Sequence, residues 1–285
     1  MPDPFPLPPT VQLTELVEGY AVYEVDHPAC VARVARHGAH LMQWRPRSEE
    51  HPVLYLSPGA VFREGKAIRG GIPVCWPWFN AHPGDPSQPA HGFGRTAFWD
   101  VTEVSSHESG VSFGFAFARG PWAASMRMHL GEELTVSLRT TNAGSDPVRL
   151  AGALHSYLRV GDIARAFVQG LEESLYLDTV GEPTKRQQFS EVRIDREVDR
   201  IYESDRSIRV VDPAFRRNLV VGKAGSPSTV VWNPWREKAA EIGDLPDHGY
   251  RDFLCVEAAI SNDRAVVLEP GQSHALATTI RVERH

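Results

Sequence analysis

The sequence predicts an all-β protein built as a large antiparallel β-sandwich. Three observations favour this fold class. Apolar and polar residues alternate over many short segments, 22 prolines and 23 glycines punctuate those segments, and no βαβ succession of strands and long helices occurs. Period-two alternation is typical of a strand with one buried face. We therefore expect stacked sheets that enclose the apolar side chains.

The alternating segments recur along most of the chain. Turn-forming stretches such as 142–147 and 269–271 separate them, and only 237–244 (EKAAEIGD) is typical of a short helix. Strands are predicted at 20–27, 30–36, 110–118, 125–130, 133–141, 149–160, 207–212, 217–222, 228–233, 252–259 and 274–282.

The chain is predicted to form one domain. Residues 1–19 are interpreted as an N-terminal extension whose first ten residues are proline-rich, and residues 20–285 as a single β-sandwich domain. No internal repeat or linker divides the chain, and all-β domains often exceed 200 residues.

Composition and charge exclude several classes of partner. The formal net charge of −6 disfavours nucleic acid and anionic membranes, because both attract basic surfaces. The sequence contains no run of 18 apolar residues, and its N-terminus lacks the features of a secretory signal, so we expect a cytoplasmic protein. The three cysteines form no CxxC pair, which indicates neither a disulfide framework nor a cysteine zinc site.

Two glycine-rich segments indicate a pocket for a sugar phosphate. They are RGGIPVCWPWF at 69–79 and HGFGR at 91–95. The guanidinium groups of Arg69 and Arg95 can bind a phosphate bidentately, and the glycines allow backbone to approach a ligand closely. Flat apolar faces for a pyranose ring are expected from Trp76, Trp78 and Phe79.

Two titratable residues lie within otherwise apolar strand patterns. His155 occurs in LHSYLRVGDI and Glu257 in FLCVEAAI. A satisfied core histidine and a buried salt bridge are the structural interpretations, because a buried carboxylate requires a partner. The functional interpretation is an acid and a base for proton transfer.

A metal or nucleotide site is a weaker hypothesis. The HGAH motif at 37–40 has an i, i+3 histidine spacing, but its strand-like surroundings and the adjacent Arg36 disfavour a cation. The segment GKAIRGG at 65–71 lacks the full phosphate-loop pattern. We expect no metal and no cofactor.

Six segments in register resemble the hexose-6-phosphate mutarotases (glucose-6-phosphate 1-epimerases), the phosphosugar branch of the aldose 1-epimerase superfamily. The resemblance runs from about residue 20 to 282 and implies a galactose-mutarotase-like β-supersandwich, a monomer and a cytoplasmic isomerase. The segments are RGGIPVCWPWF, HGFGR, LHSYLRVGD, EVDRIY, VVWNPW and DFLCVEAA.

The resemblance also implies roles for individual residues. Glu257, ionised, would take the proton from the C1 hydroxyl, and His155, protonated, would donate to the ring oxygen. Arg69 and Arg95 would hold the 6-phosphate. The expected reaction interconverts the α and β anomers of a hexose 6-phosphate, D-glucose 6-phosphate foremost, and needs no metal or cofactor.

Some assignments leave alternatives open. His91 is expected to bind a sugar oxygen or to tie its own loop, and Asp199 to accept from sugar hydroxyls or to form a salt bridge with Arg200 or another strand. Ala90 stands where relatives often carry a polar residue. Asn233 and Trp235 either line the pocket rim or pack in the core. A non-catalytic protein that binds or senses a sugar phosphate on the same fold is the alternative function.

Overall fold

The structure is a computed structural model that describes residues 6–284. Within them, α1 spans Trp235–Glu241, and 3₁₀ turns lie at Gly94–Thr96, Gly249–Asp252 and Asn262–Arg264. The strands in chain order are β1 (Val11–Val17), β2 (Tyr20–Asp26), β3 (Cys30–Ala35), β4 (His40–Pro46), β5 (Val74–Cys75), β6 (Asp100–His107), β7 (Gly110–Arg119), β8 (Trp122–Gly131), β9 (Leu134–Asn142), β10 (Val148–Leu150), β11 (Gly152–Leu154), β12 (Tyr157–Arg159), β13 (Phe167–Gln169), β14 (Leu175–Asp178), β15 (Thr184–Gln187), β16 (Val192–Arg193), β17 (Val198–Tyr202), β18 (Ile208–Asp212), β19 (Arg217–Ala224), β20 (Ser228–Asn233), β21 (Phe253–Ile260), β22 (Val266–Leu268) and β23 (Ser273–Arg284).

These strands form antiparallel sheets, which confirms the predicted fold class. A four-stranded sheet has the order β1-β2-β3-β4, and β10 pairs with β22. A nine-stranded sheet has the order β16-β13-β18-β19-β23-β9-β8-β7-β6. An eight-stranded sheet has the order β15-β14-β17-β20-β21-β11-β5, with β12 also paired to β21.

The eight-stranded sheet presents one face to the main core and the other to the candidate site. On β21, Val256 and Ala258 belong to the main apolar core together with residues of the nine-stranded sheet such as Leu276 and Ile280. Successive side chains of a strand point to opposite faces. Glu257, between the two core residues, therefore lies on the outer face.

Strand register extends this outer face across the sheet. Glu257 is aligned with Val230 on β20, and Val230 with Ile201 on β17. Val230 also belongs to a small apolar cluster, separate from the main core, that includes Cys75, Phe79, Ala151, Ala153 and Ala259. The outer face is thus partly covered by the loop that carries Phe79.

The predicted N-terminal extension contributes a strand. β1 pairs with β2, so the boundary predicted between residues 19 and 20 falls in the turn of this hairpin. Residues 1–5 of the extension lie outside the described residues.

One strand prediction was wrong in detail. The segment 149–160 forms three short strands, because a tight turn interrupts it where the N–H of Ser156 donates to the carbonyl of Leu154 (2.9 Å). Beyond the turn, the Tyr157 N–H donates to the Gly71 carbonyl at 2.9 Å. The predicted helix at 237–244 corresponds to α1, which begins two residues earlier, at Trp235.

Candidate active site

The fold brings all six predicted site residues close enough together for their charges to affect the pKa of His155 or Glu257. Burial lowers the pKa of His155, and His91, Arg95 and Arg69 lower it further. Asp199 raises the pKa of Glu257, whereas Arg95 lowers it. Such mutual effects require short separations in a poorly solvated region. Residues that are far apart in the sequence therefore form one site on the outer face of the eight-stranded sheet.

His155 and Glu257 form the centre of this site. Nδ1 of His155 lies 3.3 Å from Oε1 of Glu257, and the two side chains are 13% and 1% exposed. Within residues 6–284, Oε2 of Glu257 is buried and has no hydrogen-bond partner. Because a buried carboxylate oxygen without a partner is costly, this oxygen is available to a ligand hydroxyl.

Two aromatic rings hold the imidazole of His155. The ring stacks on Tyr157, with centroids 4.7 Å apart and planes inclined by 10°. It also meets the Trp232 ring edge-on at 5.8 Å. Trp232 follows Val230 on the same face of β20, and sequence reasoning had not assigned it to the site. The sequence signal that could have indicated it is the two-residue spacing of Trp232 from Val230 in STVVWN, which places both side chains on one face of the strand.

Burial opposes the charge on both members of the pair. It lowers the pKa of His155 well below its usual value and raises the pKa of Glu257 well above its own. In the unliganded site burial therefore favours the neutral forms, whereas the expected imidazolium and carboxylate concern the complex with substrate and stay a prediction. A neutral imidazole and a carboxylic acid still supply one proton acceptor and one proton donor.

Arg69 is fixed in position by two side chains. Its Nε donates to Oδ1 of Asp244 at 3.0 Å, and its Nη1 donates to the Tyr157 hydroxyl at 3.0 Å. Asp244 is buried, and its backbone carbonyl accepts from Oγ of Ser57 at 2.6 Å. Neither Asp244 nor Tyr157 had been singled out from the sequence, because each lies far along the chain from Arg69.

Arg95 is held by its own loop. Its Nη2 donates to the backbone carbonyl of Ala90 at 3.0 Å. Its Nε is buried without a hydrogen-bond partner within residues 6–284. Because Arg95 bonds to the backbone carbonyl of residue 90, the lack of a polar side chain at that position does not affect this hydrogen bond. The unpaired Nε is a donor that an anionic ligand could satisfy.

His91 ties its loop together. Its Nδ1 accepts from the N–H of Asn80 at 3.3 Å, and its ring meets Phe79 at 5.2 Å. Burial, followed by the charges of Arg95 and Arg69, lowers the pKa of His91 to about 3. Of the two alternatives for His91, the loop tie is therefore observed at Nδ1.

The aromatic and glycine residues of the two loops have other roles than expected. Trp76 is fully buried in the main core, where its Nε1 donates to Oγ1 of Thr140 at 2.9 Å, so its predicted stacking on a sugar is wrong. Gly92 has φ +72°, and a Cβ there would lie 2.0 Å from the Trp76 carbonyl oxygen. This glycine serves the close approach of two protein segments. Trp78 and Phe79 are also buried.

Asp199 lies at the edge of the site next to a cavity. Burial raises the pKa of Asp199, and Oγ1 of Thr179 donates to its backbone carbonyl at 3.0 Å. The ion pair of Arg200 is with Asp178 (3.8 Å), so the alternative of an Asp199–Arg200 pair is not observed. A cavity of about 550 Å³ adjoins the site, and its lining includes Phe79, Asn80, Leu177, Thr179, Ile201 and Ser228.

The remaining candidates from the sequence are structural. The Nδ2 of Asn233 donates to the carbonyls of Tyr250 and Phe253 (2.8 and 2.9 Å), and Trp235 packs against the core. In the part of the chain that the structure describes, no three His, Cys, Asp or Glu side chains are grouped so that they could hold a metal ion. None of its helices is long and apolar enough to span a membrane.

Comparisons with known proteins find relatives over most of the chain. A protein of Escherichia coli (strain K12) named "Putative glucose-6-phosphate 1-epimerase" is 34% identical over 270 residues, covering 91% of this chain and 90% of that protein. A protein of Cenchrus ciliaris with the same name is 34% identical over 266 residues, covering 85% of this chain and 78% of the relative.

A solved structure extends the similarity to the whole fold. A Salmonella typhimurium protein described as a "putative mutarotase" superimposes with a TM-score of 0.91 at 29% identity, covering 100% of this chain and 97% of its own. The family model described as aldose 1-epimerase matches residues 21–281. With this match and these relatives, the chain belongs to the aldose 1-epimerase family.

Proposed function

We propose that this protein interconverts the α and β anomers of a hexose 6-phosphate, with D-glucose 6-phosphate as the foremost substrate. The observation that carries the proposal is the buried His155–Glu257 pair beside two arginines. An acid and a base serve mutarotation of any aldose, and the arginines add recognition of a phosphate. The names of the relatives agree with this substrate.

The reaction uses one proton donor and one proton acceptor. Glu257 takes the proton of the C1 hydroxyl while His155 donates a proton to the ring oxygen, and the C1–O5 bond breaks to give the open-chain aldehyde. Rotation about C1–C2 exposes the other face of the aldehyde. The ring oxygen then attacks that face and returns its proton to His155, while Glu257 returns the other proton to O1.

Substrate binding prepares the pair for these roles. Arg69 and Arg95 both lower the pKa of His155 in the unliganded site. A bound phosphate dianion neutralises their charges, which raises the pKa of His155 and favours imidazolium over the neutral ring. The proton that converts His155 to imidazolium can come from the carboxylic acid of Glu257, and the resulting carboxylate is the base.

Exchange spectroscopy by NMR tests the proposal directly. Magnetisation transfer between the anomeric protons of equilibrated α- and β-glucose 6-phosphate is expected to accelerate when the protein is added, and to return to the spontaneous rate with the Glu257→Gln variant. Line broadening or saturation-transfer signals that show binding without faster exchange would instead support the non-catalytic binding or sensing protein.

A further inference from the structure

The turn between β3 and β4 contacts both loops that carry the phosphate-site arginines. This turn contains the HGAH motif, whose histidines His37 and His40 are 1% and 0% exposed. Each imidazole bonds to the backbone carbonyl of the residue that directly follows one of the arginines. The motif therefore connects the two predicted phosphate ligands through the backbone.

His40 fixes the loop of Arg69. Its Nε2 lies 2.8 Å from the carbonyl oxygen of Gly70, and only an N–H at that nitrogen can make this bond because the carbonyl is an acceptor. Burial lowers the pKa of His40 to about 3, so the ring is neutral and carries a single N–H. The Ile72 N–H, donating to the Leu41 carbonyl at 2.9 Å, holds the same loop against β4.

His37 fixes the loop of Arg95 in the same way. Its Nε2 lies 3.0 Å from the carbonyl oxygen of Thr96, and its Nδ1 lies 3.1 Å from the hydroxyl of Tyr20. Nε2 also lies 3.2 Å from the backbone N of Gly65, so the tautomer selects its partner: a protonated Nε2 donates to the Thr96 carbonyl, and an unprotonated Nε2 accepts from the Gly65 N–H. The Gly38 N–H adds a bond to the Ala97 carbonyl at 2.7 Å.

We infer that His37 and His40 are positioning residues that set the relative placement of Arg69 and Arg95, and thereby the preference for phosphorylated over free sugars. The inference rests on the proposed function. Two guanidinium groups bind one phosphate strongly only when both reach it at once, so a small displacement of either loop weakens the contact.

Substitutions of His40 separate positioning from a merely structural role. His40→Phe keeps a flat ring but removes the donor to Gly70, whereas His40→Gln keeps an N–H donor. For folded His40→Phe, we expect KM for glucose 6-phosphate to rise by about tenfold, equivalent to about 1.4 kcal/mol and within the range of one hydrogen bond. The kcat/KM for free glucose should stay within about twofold of wild type, since the catalytic pair is untouched. His40→Gln should recover most of the loss.

Tyr20→Phe supplies a second test through the other histidine. It deletes the hydroxyl bonded to Nδ1 of His37, so that the imidazole is held less firmly. We expect KM for glucose 6-phosphate to rise by about threefold with glucose turnover unchanged. It decides the matter if His40→Phe does not fold. Equal losses on glucose and its 6-phosphate, or wild-type KM values in both variants, would overturn the inference. A wild-type protein without preference for the 6-phosphate would overturn the proposed substrate as well, so the two failures are distinguishable.

Discussion

Nδ1 of His155, in the break between β11 and β12, faces Oε1 of Glu257 on β21 at 3.3 Å. The strand break at Ser156 places the imidazole beside β21, and the alternation along β21 turns the carboxylate to the same outer face. The proton donor and the proton acceptor of the proposed reaction are thus brought together by the pairing of two distant strands.

Removal of either member of this pair is expected to reduce mutarotation severely. His155→Asn and Glu257→Gln should each lower kcat by roughly 10²- to 10⁴-fold, since each removes one proton-transfer partner. Anomer exchange by NMR measures the effect, and circular dichroism checks the fold. Glu191→Gln is a suitable control because this carboxylate belongs to an exposed ion pair with Arg193 and does not line the cavity beside the site. Near-wild-type turnover by both catalytic variants would remove the pair from the mechanism.

Loss of an arginine is expected to weaken binding of the phosphorylated sugar. Arg69→Ala or Arg95→Ala should raise KM for glucose 6-phosphate by about tenfold or more, because a charged hydrogen bond contributes about 1.5 to 3 kcal/mol. KM for glucose should change little. Arg193→Ala, at the exposed ion pair with Glu191 and outside the cavity beside the site, is the matched control. Comparable wild-type KM values for glucose and its 6-phosphate would contradict the phosphate role.

Asp244→Asn is expected to produce a smaller change of the same kind. The amide oxygen can still accept from Nε of Arg69, but the fixed negative charge at 3.0 Å is lost. We expect KM for glucose 6-phosphate to rise by about threefold with kcat unchanged, since Arg69 binds and does not transfer protons. A fall in kcat without a change in KM would show that Asp244 acts on the catalytic pair instead.

Replacement of Asp199 is expected to move the pH profile. The negative charge of Asp199 contributes to raising the pKa of Glu257, so Asp199→Asn should lower that pKa and keep the side chain's shape. The carboxylate of Glu257 would then persist to lower pH, and the acidic limb of the kcat/KM profile, which reports the free enzyme, should shift to lower pH. An unchanged limb, or a shift to higher pH, would contradict this electrostatic coupling.

His40 is expected to make stability depend on pH. Its pKa falls from the usual 6.5 to about 3 on burial, so the unfolded state binds a proton that the folded state does not. Stability is therefore retained above pH 6.5 and lost as the pH falls toward 3, by about 1.4 kcal/mol per pH unit for this residue. Urea denaturation at pH 7, 6 and 5 should show a shallower loss for His40→Gln than for wild type. Parallel curves would mean that His40 titrates normally.

The strands could be predicted from the sequence because their faces differ in polarity. The segment at 228–233 was predicted with the bounds of β20, and 207–212 differed from β18 by one residue. The segment 149–160 was predicted as one strand, because the local turn from Ser156 to Leu154 is accompanied by hydrogen bonds from His155 and Tyr157 to Pro73 and Gly71 in a distant loop. Periodicity carries no information on such partners.

The candidate site was predictable where side-chain chemistry alone marks a residue. A glutamate in an apolar strand and arginines in glycine-rich loops are unusual enough to stand out, and the structure brings them together. Asp244, Tyr157 and Trp232 were missed because an acidic loop residue or an aromatic strand residue is ordinary in sequence. Trp76 was misassigned for the converse reason, since its neighbours indicate a pocket while its ring packs in the core.

The two faces of the eight-stranded sheet carry separate selective pressures along the same strands. On β21, Val256 and Ala258 contribute to holding the sandwich together, whereas Glu257 and Ala259 face the ligand side. Adaptation to another carbohydrate can therefore proceed by exchanges at alternate positions while the scaffold stays intact. An insertion of a single residue within β21 would turn every side chain beyond it to the opposite face of the sheet. Core residues would then face the ligand side, and folding and turnover would be lost together.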